Sequence, residues 1–197
     1  SFGSEALGVS EDGSPLALDA AGGSAPNHLQ LRGNAPLYVY STAPLAAADG
    51  KALPGPMPGA GGYSLALNDR QVLLLPDFRD FPASSLTLEF WMTSIDRCRP
   101  GVPFSYAVGD YNQGDNAFLL FNYNSWGVSV LEDEGHLSDH QSGVAVTDGF
   151  WHHVAVTWES ATGDVRLYDN GRQVWQATRG RGRSIPSGGT LVIGREQ

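Results

Sequence analysis

Hydrophobic and polar positions alternate with a period of two along most of the chain. The alternation is clearest in "FWHHVAVTWESATGDVRLYDNGRQVW", Phe150 to Trp175. If Trp151 to Trp158 is extended, Trp151, His153, Ala155 and Thr157 share one face. His152, Val154, Val156 and Trp158 share the other. The two histidines then point in opposite directions and cannot jointly hold one metal. Residues 159–164, "ESATGD", have the small, polar composition of a hairpin loop, and Asp169-Asn170-Gly171 favours a tight turn. The stretch is expected to be a three-stranded antiparallel meander over 152–158, 164–169 and 172–176. Similar segments are expected at 63–67, 71–75, 86–93, 104–108, 117–123, 126–131 and 189–194; the second ends at a proline, and "FSYAVG", "NAFLLFNYN" and "WGVSVLED" are bounded by Gly, Asn or Asp. No stretch has helical periodicity. Many short strands without helices predict an all-β antiparallel sandwich or jelly roll. The core is expected from Leu86, Leu88, Phe90, Leu119, Phe121, Val154, Val156, Trp158, Leu167 and Val192.

Residues 1–60 have a different texture. Proline and glycine punctuate them densely, ending in "KALPGPMPGAGG" at 51–62, which reads as a linker or long surface loop. Two short extended pieces are expected there, at 27–32 and 36–41. The division predicted is an arm over 1–60 and a β-sandwich over 61–197. At 197 residues and 41% hydrophobic, the chain is long and apolar enough for a real core. Its net charge of −9 opposes binding to nucleic acid or to anionic membrane surfaces, and is compatible with cation binding. No apolar run reaches the ~18 residues of a membrane-spanning helix. Cys98 is the sole cysteine, which excludes an internal disulfide. "SFGSEALGVS" carries neither a basic nor an apolar signal region, so a signal peptide is expected to have been removed already.

Several ordered stretches carry a family resemblance. They are "GGYSLALNDRQVLLLPDF", "LTLEFWMTS", "PFSYAVGDYNQGDNAFLLF", "WHHVAVTWESATGDVRLYDNG" and "GGTLVIGREQ". Through them residues 61–197 resemble the pentraxin and laminin-G-like domains, jelly rolls of concanavalin A type. The resemblance implies a two-sheet fold, a secreted or cell-surface location, and a glycan or protein partner. It also implies a calcium site. The matching ligand positions are Asp115 and Asn116 before "AFLLF", and Glu196 with the Gln197 carbonyl at the end. Such a donor set of carboxylate, amide and backbone oxygens suits calcium. "GDYNQGDN" also has the composition of an ordinary hairpin loop.

Two departures stand out. The positions matching the family's disulfide are Glu89 and Ala155, so the bridge is absent. The family's next acidic ligand and closing strands do not occur in this sequence. The expectation is that residues 1–60 or a separate polypeptide fill the gap; the second option would make strand addition a route to partner capture.

Other clusters have bland readings as well as chemical ones. "LEDEGHLSDH", 131–140, holds Glu132, Asp133, Glu134, His136, Asp139 and His140, but contiguous carboxylates do not share one strand face, so a solvated loop is expected rather than a glycosidase pair. "TRGRGRS", 178–184, spaces Arg179, Arg181 and Arg183 as an anion site would, or as a solvated loop would. Trp126, Trp151 and Trp175 are core or sugar-stacking candidates. No nucleophile–base pair is present, so no catalytic residue is expected. The reading is an extracellular binding and assembly module; the alternatives are a structural module of a larger assembly and a carbohydrate-active enzyme.

Overall fold

A computed structural model describes residues 7–18, 27–33, 37–40, 63–67, 71–109, 116–131 and 141–195. Among these there are strands and turns and no helix. The first strands are β1 (Leu7–Val9), β2 (Pro15–Ala17), β3 (Leu29–Gly33), β4 (Leu37–Tyr40) and β5 (Tyr63–Ala66). Next come β6 (Gln71–Phe78), β7 (Ser85–Met92), β8 (Phe104–Ala107), β9 (Phe118–Phe121) and β10 (Gly127–Val130). The meander is β11 (His152–Glu159), β12 (Asp164–Asp169) and β13 (Arg172–Thr178), and β14 is Gly189–Ile193. One sheet has the order β1-β2-β3-β6-β14-β8-β9-β10, a second has β13-β12-β11-β7, and β4 pairs with β5. All pairings are antiparallel, as expected for a jelly-roll sandwich.

The alternation in β11 decides how the second sheet faces the first. His152, Val154, Val156 and Trp158 are buried; the intervening His153, Ala155 and Thr157 are partly exposed. Val154 and Val156 are 0% exposed. They meet Phe90 and Leu88 across β7, and Val156 also meets Leu167 across β12. From the larger sheet, Tyr106, Phe118, Leu120, Val128, Val130 and Leu191 enter the same cluster. Phe81 stacks on Tyr106 with ring centroids 3.8 Å apart and planes 4° from parallel. A smaller cluster of Ala17, Leu31 and Leu73 extends the core beneath β2, β3 and β6.

Of the expected core, Leu119, Val154, Val156, Trp158, Leu167 and Val192 are buried. Leu86, Leu88 and Phe90 pack on the core but stay partly exposed, because β7 is an edge strand with solvent on one side. Phe121 is only partly buried. In β9 the residues facing the sandwich interior are Phe118 and Leu120, so Leu119 and Phe121 face outward. Phe121 lies over its cross-strand neighbour Gly127, where a Cβ would come within 2.3 Å of the ring. Four consecutive apolar residues, "FLLF", cannot disclose their inward parity by pattern alone.

The arm contributes to the larger sheet. β3 pairs with β6 from Gln30 opposite Leu74 to Gly33 opposite Gln71, and β2 and β1 extend the sheet outward. Expected segments 27–32 and 36–41 correspond to β3 and β4. β1 and β2 were not expected: three residues each, "LGV" and "PLA", are too short to show alternation. At the other edge, Trp126 N–H donates to the Val144 carbonyl at 3.0 Å, and Ser142 N–H to the Trp126 carbonyl at 2.6 Å, so the 142–144 segment covers the backbone entering β10. Val156→Ala should lower unfolding stability by about 1–3 kcal/mol through lost burial and a residual cavity, read from denaturant midpoints at constant m-value.

Candidate functional site

Asn116 precedes β9 and is 3% exposed. Its Nδ2 is buried without a hydrogen-bond partner. A side-chain amide exchanges its nitrogen and oxygen by a half-turn of the terminal torsion. The orphaned position can therefore present an oxygen to a cation, the kind of hard donor calcium takes. Asp115, Glu196 and Gln197 lie outside the described residues. The backbone leading to the last two is described. β14 ends at Ile193, opposite Phe104, whereas Asn116 lies beyond Phe118, which pairs with Tyr106 at the other end of β8. A straight continuation of β14 would carry the chain away from Asn116. Instead Gly194 adopts φ 101°, a conformation that side chains oppose. Its N–H donates to the Pro103 carbonyl at 3.1 Å. Ser105 Oγ then donates to the Arg195 carbonyl at 3.2 Å. Phe104 and Tyr106 pack into the core, so Ser105 is on the outer face, and the chain after β14 turns back across that face. Among the described residues, no three His, Cys, Asp or Glu side chains gather as metal ligands.

The two adjacent histidines do separate. His152 is 5% exposed, with Nδ1 at 2.8 Å from Asp169 Oδ1 and Nε2 at 3.0 Å from Asp148 Oδ1. Both acceptors are carboxylates, and only a ring protonated at both nitrogens can donate to both. Burial of the ring opposes its charge, but the hydrogen bonds it donates to Asp169 and Asp148, with the charges of those carboxylates, outweigh this and hold its pKa above the ordinary range. For Asp148, burial raises the pKa, and the Phe150 N–H and His152 together bring it below the usual carboxylate range. The clamp joins the start of β11, the end of β12 and the 141–151 connection. Sequence reading missed it because Asp148 and Asp169 lie in loop and turn positions with no distinguishing local signal. His153 is on the other face, beside Trp91 and Glu89.

The arginine-rich loop is a clasp on the β11–β12 hairpin. Arg179 N–H donates to the Gly163 carbonyl and Gly182 N–H to the Ser160 carbonyl, each at 2.7 Å. Trp158 Nε1 donates to the Arg179 carbonyl at 3.1 Å, and the Arg183 guanidinium to the Leu131 carbonyl. Trp126 and Trp151 are buried, and Trp175 packs against the core, so none is a free stacking surface. The acidic cluster at 132–140 lies outside the described residues.

Residues 67–197 match the family described as the concanavalin A-like lectin/glucanases superfamily, of laminin G type. The chain belongs to this superfamily. It is 41% identical over 114 residues to the mouse Sushi, von Willebrand factor type A, EGF and pentraxin domain-containing protein 1, covering 57% of this chain and 3% of that protein. It is 31% identical over 119 residues to guinea-pig (Cavia porcellus) neuronal pentraxin-2, covering 57% of this chain and 25% of the relative. The chain thus spans a small part of the curated relatives it matches. A heptameric SAP-like pentraxin from Limulus polyphemus has a similar structure, with TM-score 0.50 and 26% identity, covering 64% of this chain and 58% of that one. The pentraxin resemblance and jelly-roll architecture expected from the sequence are thereby established. Laminin G- and pentraxin-like domains of this superfamily are typically extracellular binding modules.

The His152 clamp carries a pH dependence with a definite sign. A group with a raised folded-state pKa gives its full stabilisation below its unfolded value, about 6.5, and loses it as pH rises through the higher folded value. The melting temperature of the wild-type domain should therefore fall on going from about pH 6 to pH 9, and His152→Gln should abolish that histidine-dependent slope. Thermal unfolding followed by circular dichroism at stepped pH measures both.

Proposed function

We propose that this superfamily member is an extracellular, non-catalytic binding module whose ligand contacts depend on calcium. Asp115 and Glu196 would supply carboxylates, Asn116 its amide oxygen, and Gln197 its backbone carbonyl. The observation that carries the reading is the buried, unpartnered amide position of Asn116, together with the return of the chain after Gly194 across the outer face. Calcium there would offer an extracellular ligand open coordination positions, for which hydroxyl, carboxylate or carbonyl oxygens of a glycan or protein are suitable. The net charge of −9 favours cation uptake and disfavours nucleic acid.

Absence of hydrolysis belongs to the same proposal. Catalysis needs convergent groups. In the Asp148–His152–Asp169 constellation the histidine is buried and both its ring nitrogens are engaged. Calorimetric titration with calcium should give a saturable signal that Asp115→Asn and Glu196→Gln each abolish, with unchanged circular dichroism. A flat wild-type titration would refute the calcium reading. Polysaccharide turnover lost on mutating Glu132 or Glu134 would refute the non-catalytic one.

A further inference from the structure

The outer face of the four-stranded sheet carries a second arrangement, unrelated to the Asn116 region. Its composition follows from register. On β7, β11 and β12 the inward positions are apolar and pack in the core, apart from His152 and Asp169 at one end. The outward positions form rows across the three strands. Trp91 lies opposite His153; Ala155 lies between Glu89 and Tyr168; Thr157 lies between Thr87 and Arg166. Successive rows are separated by two residues along the strand, roughly 7 Å, and neighbouring columns by about 4.8 Å. The platform is therefore long enough to follow a chain-like ligand.

Its chemistry is uneven in an informative way. Trp91 is half-buried and absent from the core clusters, unlike the other four tryptophans, which are buried or packed on the core. Its indole is steadied by the His153 ring, with centroids 5.1 Å apart. Tyr168 is likewise half-buried. Between them Ala155 has the smallest side chain of its row. Glu89, 3.6 Å from His153 Nε2, and Arg166, paired with Asp164 at 2.5 Å, lie on either side of it with side chains 67% and 46% exposed, leaving room for further hydrogen bonds. The outward positions of these rows hold no Leu, Ile, Val, Met or Phe. Protein interface cores are depleted in charge and rich in apolar contacts, whereas this face has charged groups beside its centre. Aromatic rings with nearby hydroxyl, carboxylate and guanidinium groups suit a ligand with apolar C–H faces and many hydroxyls. Glu89 has a histidine, and no lysine or arginine, as its neighbour on this face, and the whole chain is acidic, which disfavours an anionic glycan.

We propose that the outer face of the β13-β12-β11-β7 sheet is a metal-independent platform for a neutral oligosaccharide. Trp91 and Tyr168 supply the stacking surfaces on either side of Ala155, and Glu89 and Arg166 bind hydroxyls. This rests on the reading of the chain as a binding module, but not on its calcium site.

Calorimetry in excess EDTA, using β-1,4-linked hexasaccharides of glucose, N-acetylglucosamine and mannose in turn, separates the two. At least one should bind. Trp91→Ala should weaken it by about tenfold. Glu89→Gln and Arg166→Ala, at exposed positions that leave the fold intact, should each weaken it several-fold, while Asn116→Ala leaves it unchanged. If Trp91→Ala alters the circular dichroism, the two exposed variants decide. No binding of any hexasaccharide in EDTA, with calcium uptake retained, overturns the platform and leaves the module's proposed function standing. So does binding that survives Glu89→Gln and Arg166→Ala. Absence of both calcium uptake and saccharide binding overturns both.

Discussion

The fold depends on the face that β11 turns toward the larger sheet. Val154, Val156 and Trp158 fill the space between the two layers; register sets Phe90, Leu88 and Leu86 of β7 opposite them, and Leu167 and Val165 of β12 opposite Val156 and Trp158. The constraint is parity. Because side chains alternate strictly, committing these residues inward also commits His152 inward and His153, Ala155 and Thr157 outward. One choice therefore creates the core, the buried clamp and the exposed platform together.

His152 is the awkward consequence of that parity. A polar ring on the core face loses its hydration and must be satisfied locally. Asp169 at the end of β12 and Asp148 in the preceding loop do this, so a polar residue at the sheet's margin ties three chain segments together. Glu89 and Ala155 show the same logic on the opposite face. They are directly paired across β7 and β11, at the positions where the family resemblance implies a disulfide. The chain keeps the pairing without the bridge, and its hydrogen-bonded ladder and apolar inner face hold these strands in register instead.

The two proposed binding surfaces lie on opposite sides of the sandwich and use different physics. Near Asn116 the argument concerns hard oxygen donors and a chain reversal forced by Gly194. At Trp91 it concerns ring faces and hydroxyl-binding groups on a regular sheet. The first depends on loop conformation and on a cation. The second depends only on strand register, so it would be preserved wherever the sandwich itself folds.

Period-two patterning by itself determined the all-β class, the meander and the opposed directions of His152 and His153, since these follow from local geometry. The ordered motifs further carried the family. In "FLLF" the pattern was continuous, and only contact between the sheets decided that Phe118 and Leu120 face inward while Leu119 and Phe121 do not. β1 and β2 were too short to read, and the placement of β3 beside β6 depends on pairing between distant residues. Asn116 was legible as a candidate donor, but its burial and missing partner were not. The Asp148–His152–Asp169 clamp and the Trp91–Ala155–Tyr168 platform were likewise invisible. Each joins residues from separate strands or loops, and their proximity is a property of sheet register and tertiary packing, which no single stretch of sequence contains.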